Sequence, residues 1–382
     1  MAGRDAKPRN VLFAAHSADL AQLAARDRAR SLAAARGIDF SSNDYLALAA
    51  SPRLARAISE AVGRGVPAGS GGSRLLRGNA CEHEALEAEA AAFFGAEAAL
   101  FFGSGFAANA ALLATLPQRG DLVVHDALIH ASAHDGMRLG RAETVSAPHN
   151  DAQAFDDAIA GWRARGGAGT PWIAVESLYS MDGDLARLAD LAEVARRHEA
   201  LLLIDEAHAT GVFGRDGRGL ADLLEGRDDV VTLHTCSKAL GVEGALVCGP
   251  RVVRDFLVNR ARGFIFSTAP SPLIAAAVRE ALRILSDEPE RRERLWALVR
   301  GAERLLAPVG VGATGSQILP LVIGRDGETM RIAAALQAAG FDVRGIRPPT
   351  VPAGTARLRI SLTLNASEAD VARLARALAD AR

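Results

Sequence analysis

The sequence predicts an α/β protein: a mainly parallel sheet with helices on both faces, followed by a smaller C-terminal α/β domain. Three observations carry this. Six short apolar runs, Ala99 to Phe102, Leu122 to Val124, Trp172 to Val175, Leu201 to Ile204, Val230 to Leu233 and Ala245 to Val247, are separated by helical stretches such as Leu185 to His198. That alternation marks parallel strands buried on both faces. After about Pro270 the chain changes to a long Ala/Leu/Arg-rich helical region, Ser271 to Leu306. Finally, 382 residues exceed one ordinary core, so more than one domain is expected.

In chain order, residues up to about 40 are rich in Ala and Arg, with Leu12, Leu20, Leu23 and Leu32 at irregular helical spacing. They read as an N-terminal helix and arm, residues 1–45. Phe40 to Leu46 sets short polar residues between aromatic ones, the composition of an ordered turn. Pro67-Ala68-Gly69-Ser70-Gly71-Gly72-Ser73-Arg74 is too glycine-dense for helix or strand and is either a short linker or a loop over a ligand. From His83 to Phe94 the pattern is helical, and Gly95 stands where a C-terminal cap belongs. The strand and helix alternation then fills a large domain, 46–270. Ile318 to Ile323, Met330 to Ala339 and Leu358 to Leu362 supply strands and a helix for the smaller one, 271–382.

With 49% hydrophobic and 23% charged residues the chain reads as soluble and globular. A formal net charge of −1 gives no general reason to bind nucleic acid or an acidic membrane. Cys81, Cys236 and Cys248 form neither a C-x-x-C pair nor a disulfide framework, which fits a reducing cytoplasm. No signal-peptide core or membrane-spanning run is expected.

The basic residues carry the first chemical signal. Of 44, only Lys7 and Lys238 are lysine. Arginine stays protonated and cannot act as a nucleophilic amine, so Lys238, after the run Val230 to Leu233, suggests a need for a neutral amine. Schiff-base formation with a carbonyl is the commonest such need, and a solvated loop lysine is the bland alternative.

Ligands of open α/β sheets sit at the carboxyl ends of the strands, and the residues there are polar at nearly every strand. Gly103-Ser104-Gly105-Phe106 opens an apolar helix and is a candidate phosphate cradle, or only a tight turn. Asp205-Glu206-Ala207-His208 also spells a helicase box, but neither lysine lies in a phosphate-binding loop. Asp205 is then an acid facing a cation, or a cap, and His208 could bond a phenolate-like oxygen. His130 and His134 are one helical turn apart and could bind metal, but without H-E-x-x-H a single functional histidine is favoured, His130 having a ring suited to stacking. Ser180 and Thr235 add hydroxyls. A phosphate cradle, an acid for a ring nitrogen, a stacking ring and a Schiff-base lysine are together what pyridoxal phosphate requires.

These residues resemble the α-oxoamine synthases, pyridoxal-phosphate enzymes of the type I aminotransferase fold. The match runs through Ser42-Asn43-Asp44-Tyr45-Leu46, Gly69 to Ser73, Gly103 to Asn109, Ser180-Met181-Asp182-Gly183, Asp205 to Gly211 and Thr235-Cys236-Ser237-Lys238. The resemblance implies that Lys238 holds the cofactor and later acts as base, Asp205 faces the pyridine nitrogen, His208 bonds the ring oxygen and His130 stacks on the ring. It further implies that Gly105, Phe106, Ser180 and Thr235 hold the phosphate and line the pocket, with Asn43, Thr350 and Arg359 on the substrate side. Ile346 to Arg359 is most similar to the family member that joins L-alanine to a pimeloyl thioester, carried by coenzyme A or an acyl carrier protein, in biotin biosynthesis. Glycine C-acetyltransferase, 5-aminolevulinate synthase and serine palmitoyltransferase are less similar there. A homodimer with Ser267-Thr268 reaching across subunits is also implied. The segment from Arg26 to Phe40 is shorter than the family pattern, so an N-terminal substrate-binding arginine is left unplaced. A metal-dependent hydrolase on the cluster from His125 to Asp135 and a cofactor-free binding protein are the alternatives from other classes.

Overall fold

A computed structural model describes residues 11–382; Lys7 and the rest of the first ten lie outside the described residues. The chain opens with helix α1 (Ala14–Ala25), which buries none of its residues, and an extended arm. Strand β1 (Ile38–Asp39) ends the arm. There the left-handed Gly37 (φ +82°) lies so close to Gly340 that an added Cβ would stand 2.4 Å from its carbonyl oxygen, so only glycine fits. Helices α2 (Pro52–Gly63) and α3 (Cys81–Phe94) follow, the latter closed by Gly95 in the left-handed conformation.

The central sheet begins with β2 (Ala98–Phe102), α4 (Gly105–Thr115), β3 (Leu122–Asp126), α5 (Ala131–Leu139), β4 (Glu143–Ala147) and α6 (Ala152–Ala164). It continues through β5 (Pro171–Glu176), α7 (Leu188–His198), β6 (Leu201–Asp205), β7 (Val230–Thr235), β8 (Ala245–Gly249), α8 (Arg251–Arg260) and α9 (Arg262–Ile265). The seven strands lie in the order β2-β8-β7-β6-β5-β3-β4, and only β8 runs against the rest. The six expected apolar runs all form strands. β4 was not anticipated from the sequence: it is an edge strand whose Glu143, Thr144 and Ser146 are exposed, so it lacks a continuous apolar run. One face of the sheet packs Leu112, Leu113 and Met137 against Leu203 and Leu233; the other packs Phe155, Ile159 and Val194 against Ile173 and Ile204.

The helical region after Pro270 divides in two, because Pro289 lacks the amide a continuous helix needs. Helix α10 (Pro272–Asp287) is capped by Ser271 and packs on α2 and α3; α11 (Glu290–Leu306) turns away to the C-terminal elements. Those are β9 (Ile318–Gly324), α12 (Asp326–Ala338), β10 (Phe341–Asp342), β11 (Arg344–Ile346), β12 (Ala356–Ser361) and α13 (Glu368–Ala381). β11, β12 and β9 form an antiparallel sheet, and β1 pairs in parallel with β10, fastening the arm to this part of the chain. The glycine-dense loop after Val66 docks on residues 269–271: Ser70 donates to Pro270 O at 2.6 Å, Gly72 O accepts from Ala269 at 2.9 Å and Ala68 O accepts from Ser271 at 2.6 Å. Among the described residues no helix is long and apolar enough to cross a membrane.

Candidate active site

The carboxyl ends of β5, β6 and β7 open into a cavity of about 250 Å³. It is floored by Lys238, two residues beyond the turn where Cys236 N–H bonds Gly244 O after β7. No hydrogen bond holds its Nζ among the described residues. Burial lowers the Lys238 pKa, with the carboxyls of Asp205 and Glu176 opposing, so the amine sheds its proton more readily than a surface lysine.

Asp205 is the last residue of β6. Its Oδ1 accepts from the Ala207 amide at 2.9 Å and its Oδ2 from Asn109 Nδ2 at 3.0 Å. Two donors from the protein fix the plane of its carboxyl. His208 lies one turn further on, with Nδ1 2.6 Å from the Tyr45 hydroxyl. Burial pushes the His208 pKa well down, aided by the nearby cations Lys238 and Arg359, so the ring is neutral. With the Tyr45 proton given to Nδ1, the shorter of its contacts, the imidazole proton sits on Nε2 and is free to be donated. His130 caps α5, with Nδ1 2.7 Å from Ser132 Oγ, and burial lowers its pKa as well.

Across the cavity α4 begins at Gly105, with Ser104 as its cap. Ser104 takes the Ala107 amide on its Oγ and the Ala108 amide on its carbonyl, leaving the first amides, Gly105 and Phe106, for a ligand. A Cβ on Gly105 would stand 2.9 Å from Thr235 Oγ1, so glycine keeps this cradle open. Helix-start amides beside a hydroxyl suit a phosphate, and an anionic Asp205 suits a protonated ring nitrogen. With a desolvated lysine amine, the donor set fits pyridoxal phosphate.

His130 also lines a second, larger cavity of about 700 Å³. Its wall includes Ser180 to Asp182, Thr350 and Arg30. Arg30 Nη2 donates to Thr350 Oγ1 at 3.3 Å, and the arm carrying it is pinned by Arg28 on Asp326 at 2.6 Å. The loop carrying Ser180 to Asp182 is held at its ends by His149, whose ring packs edge-on against Tyr179 and whose nitrogens lie 2.9 Å from Asp126 Oδ1 and 2.8 Å from Asp184 Oδ2. Burial alone would lower the His149 pKa, but the two carboxylates hold it up at about 10.

Of the residues expected from sequence, Lys238, Asp205, His208, His130, Thr235, Gly105 and Phe106 meet at the smaller cavity. Ser180 and Thr350 instead face the larger one. Ser180 O accepts from Arg359 Nε at 2.6 Å, and Asn43 Oδ1 accepts from Arg359 Nη1 at 3.0 Å. The Arg359 guanidinium is buried among neutral acceptors only, with no acidic partner among the described residues, which suits it to an incoming carboxylate. Ser267 and Thr268 are exposed. His134 stacks edge-on with His125 at 5.1 Å, and among the described residues no three His, Cys, Asp or Glu are grouped to hold a metal. Four residues given no role from the sequence complete the site: Tyr45, Asn109, Glu176 and Arg30. Tyr45 and Asn109 sit within motifs already noted, but only the fold brings them to His208 and Asp205.

The sequence profile of the family described as aminotransferase class I and II matches residues 35–378. The chain belongs to this family. Within it, the 8-amino-7-oxononanoate synthase of Anaeromyxobacter dehalogenans strain 2CP-1 is 46% identical over 329 residues, covering 85% of this chain and 81% of the relative. That of Chromobacterium violaceum is 46% identical over 328 residues, covering 85% and 84%. Among solved structures, a serine palmitoyltransferase from S. paucimobilis with bound PLP and myriocin is similar at TM-score 0.87 and 27% identity, covering 98% of both chains. An 8-amino-7-oxononanoate synthase from Francisella tularensis is similar at TM-score 0.75 and 27% identity, covering 90% of this chain and 97% of that one.

Proposed function

We propose that this chain is a pyridoxal-phosphate-dependent acyltransferase that condenses L-alanine with a pimeloyl thioester, releasing CO2 and the carrier thiol, to give 8-amino-7-oxononanoate for biotin synthesis. The observation that carries it is the joining, through His130, of a small cavity holding a desolvated lysine and a larger one with an arginine in its wall. The high identity to 8-amino-7-oxononanoate synthases supports the choice of substrates. When bound, pyridoxal phosphate supplies a carbonyl for a primary amine and a ring that takes up an electron pair.

The chain's own residues do the rest. Lys238 would anchor the cofactor through its amine, Gly105, Phe106 and Thr235 would hold its phosphate, and Asp205 would keep the ring nitrogen protonated. Neutral His208 would offer Nε2–H to the ring oxygen, and His130 would supply a ring for stacking. Lys238, a buried amine of lowered pKa, would take the alanine Cα proton as general base when it is not itself holding the cofactor. Arg359, with Asn43 beside it, grips the alanine carboxylate. Cα attacks the thioester carbonyl, the thiolate leaves and takes up a proton, the alanine carboxyl departs as CO2, and Cα is reprotonated. Arg30 and Thr350 face the pimeloyl chain in the larger cavity, where Arg30 meets its terminal carboxylate. We place the enzyme in the cytoplasm as a homodimer, with Ser267 and Thr268 reaching the neighbouring subunit's pocket.

The test is a visible spectrum of the purified protein, followed by borohydride reduction and peptide mapping. The expected result is a chromophore fixed on the Lys238 peptide and turnover of L-alanine with pimeloyl-CoA. Faster turnover of glycine with acetyl-CoA would overturn the substrates; full activity in a colourless Lys238→Ala variant would overturn the chemistry.

A further inference from the structure

Among the residues lining the smaller cavity, Glu176 is the buried acid the mechanism does not use. It ends β5 beside Asp205 at the end of β6, the two being cross-strand partners in register. Both line the smaller cavity. Two carboxyls this close, out of water, do not both ionise. The hydrogen bonds decide which one does: Asp205 receives two donors, whereas Glu176 receives one, the Ser180 amide on Oε2 at 3.1 Å. Glu176 Oε1 is buried with no partner. Burial, and then the Asp205 charge, push the Glu176 pKa well up; Asp126 acts in the same sense, and only the Lys238 cation and the Ser180 amide oppose. The other ionisable groups facing it, Tyr45 and Tyr179, are neutral phenols with raised pKa values. Because Oε2 is accepting, the acid proton lies on Oε1.

The order of the strands identifies what that proton meets. From the phosphate cradle outward the cavity presents Thr235 on β7, Asp205 on β6 and Glu176 on β5, adjacent strands about 4.8 Å apart. In pyridoxal phosphate the carbon bearing the phosphate arm and the carbon bearing the ring oxygen each lie two bonds from the ring nitrogen, on opposite sides. With the phosphate at Thr235 and the nitrogen at Asp205, the ring oxygen falls toward β5. We propose that Glu176 is a further cofactor-binding residue, a neutral carboxylic acid that donates its Oε1 proton to the ring oxygen of pyridoxal phosphate. A second donor joins His208 there, and the pocket gains no charge to offset the negative Asp205 that the ring nitrogen needs.

This rests on the cofactor assignment above, and the test separates the two. Apo-protein is titrated with pyridoxal phosphate for wild type, Glu176→Gln and Glu176→Ala, reading affinity, the visible-absorbing fraction of bound cofactor and the pH at which that band titrates. A wild type that binds no cofactor sinks the cofactor assignment itself. Glutamine copies the protonated acid, its oxygen accepting from Ser180 and its amide donating, so E176Q is expected to match wild type in all three readouts. Alanine removes the donor, so affinity falls about tenfold or more and the visible-absorbing fraction drops. An E176A protein that binds and absorbs like wild type overturns the proposal. So does an E176Q protein whose band titrates at a clearly different pH, since that would mean a negative charge had been removed. Should E176A fail to fold, the near-isosteric E176Q still decides through that titration.

Discussion

The two cavities that meet at His130 are built from different materials. The smaller one is made of strand ends and a helix start, and its chemical groups are fixed by bonds to the protein: Asp205 by Asn109 and Ala207, His208 by Tyr45. The larger one is walled by the N-terminal arm, the loop from Tyr179 to Asp182 and the segment from Pro349 to Pro352, segments fastened at a few points. Strand ends of a packed sheet hold a reacting atom to within fractions of an ångström, while loops shape a space for a variable chain. In the function proposed above, the cofactor chemistry belongs to the smaller cavity and the choice of acyl group to the larger.

Substitutions can break that division. The largest effect is expected at Lys238→Ala, which should lower kcat by about 10⁴-fold and abolish the visible band, checked by steady-state kinetics and absorbance. In the other cavity, Arg30→Met should raise KM for the pimeloyl thioester about tenfold while leaving kcat, the alanine KM and cofactor affinity near wild type. A cofactor defect in that variant would mean the cavities do not act separately. Tyr45→Phe removes the partner of His208 Nδ1 without changing the fold and should lower kcat about fivefold, with the acyl KM unaffected. The smallest effect is expected at His149→Gln, about threefold on the acyl KM, through the loosened loop carrying Ser180. That variant also carries a pH signature. The folded His149 pKa is raised to about 10 from 6.5, so its contribution to stability is complete below about pH 6.5 and declines as pH rises toward 10. The gap in melting temperature between wild type and His149→Gln should therefore close over that range.

The smaller cavity was largely legible in the sequence, and for a physical reason. A strand buried on both faces is a continuous apolar run, so the first polar residues after it, Asp205 after Ile204 or Thr235 near the end of its run, stand out. Lys238 stood out further because the chain otherwise uses arginine. Glu176 was as visible as a letter, but its protonation depends on the cross-strand register with Asp205, which no local pattern encodes. Arg30 lay hidden because it belongs to an extended arm with many arginines, placed only when β1 pairs with β10 some 300 residues later. The edge strand β4 and the break at Pro289 show the same limit: exposed strands lack the apolar run, and composition continues across a helix break.

The most direct test of the central claim follows the carbon that must leave. L-alanine labelled with ¹³C in its carboxyl is incubated with the cofactor-loaded enzyme and pimeloyl-CoA, in parallel with pimeloyl-acyl carrier protein, and CO2, free thiol and product are measured by mass spectrometry. The account predicts labelled CO2, free thiol and unlabelled 8-amino-7-oxononanoate in equal amounts with at least one of the two carriers. Label retained in the product, or no thiol release with either carrier while glycine and acetyl-CoA react, would contradict it.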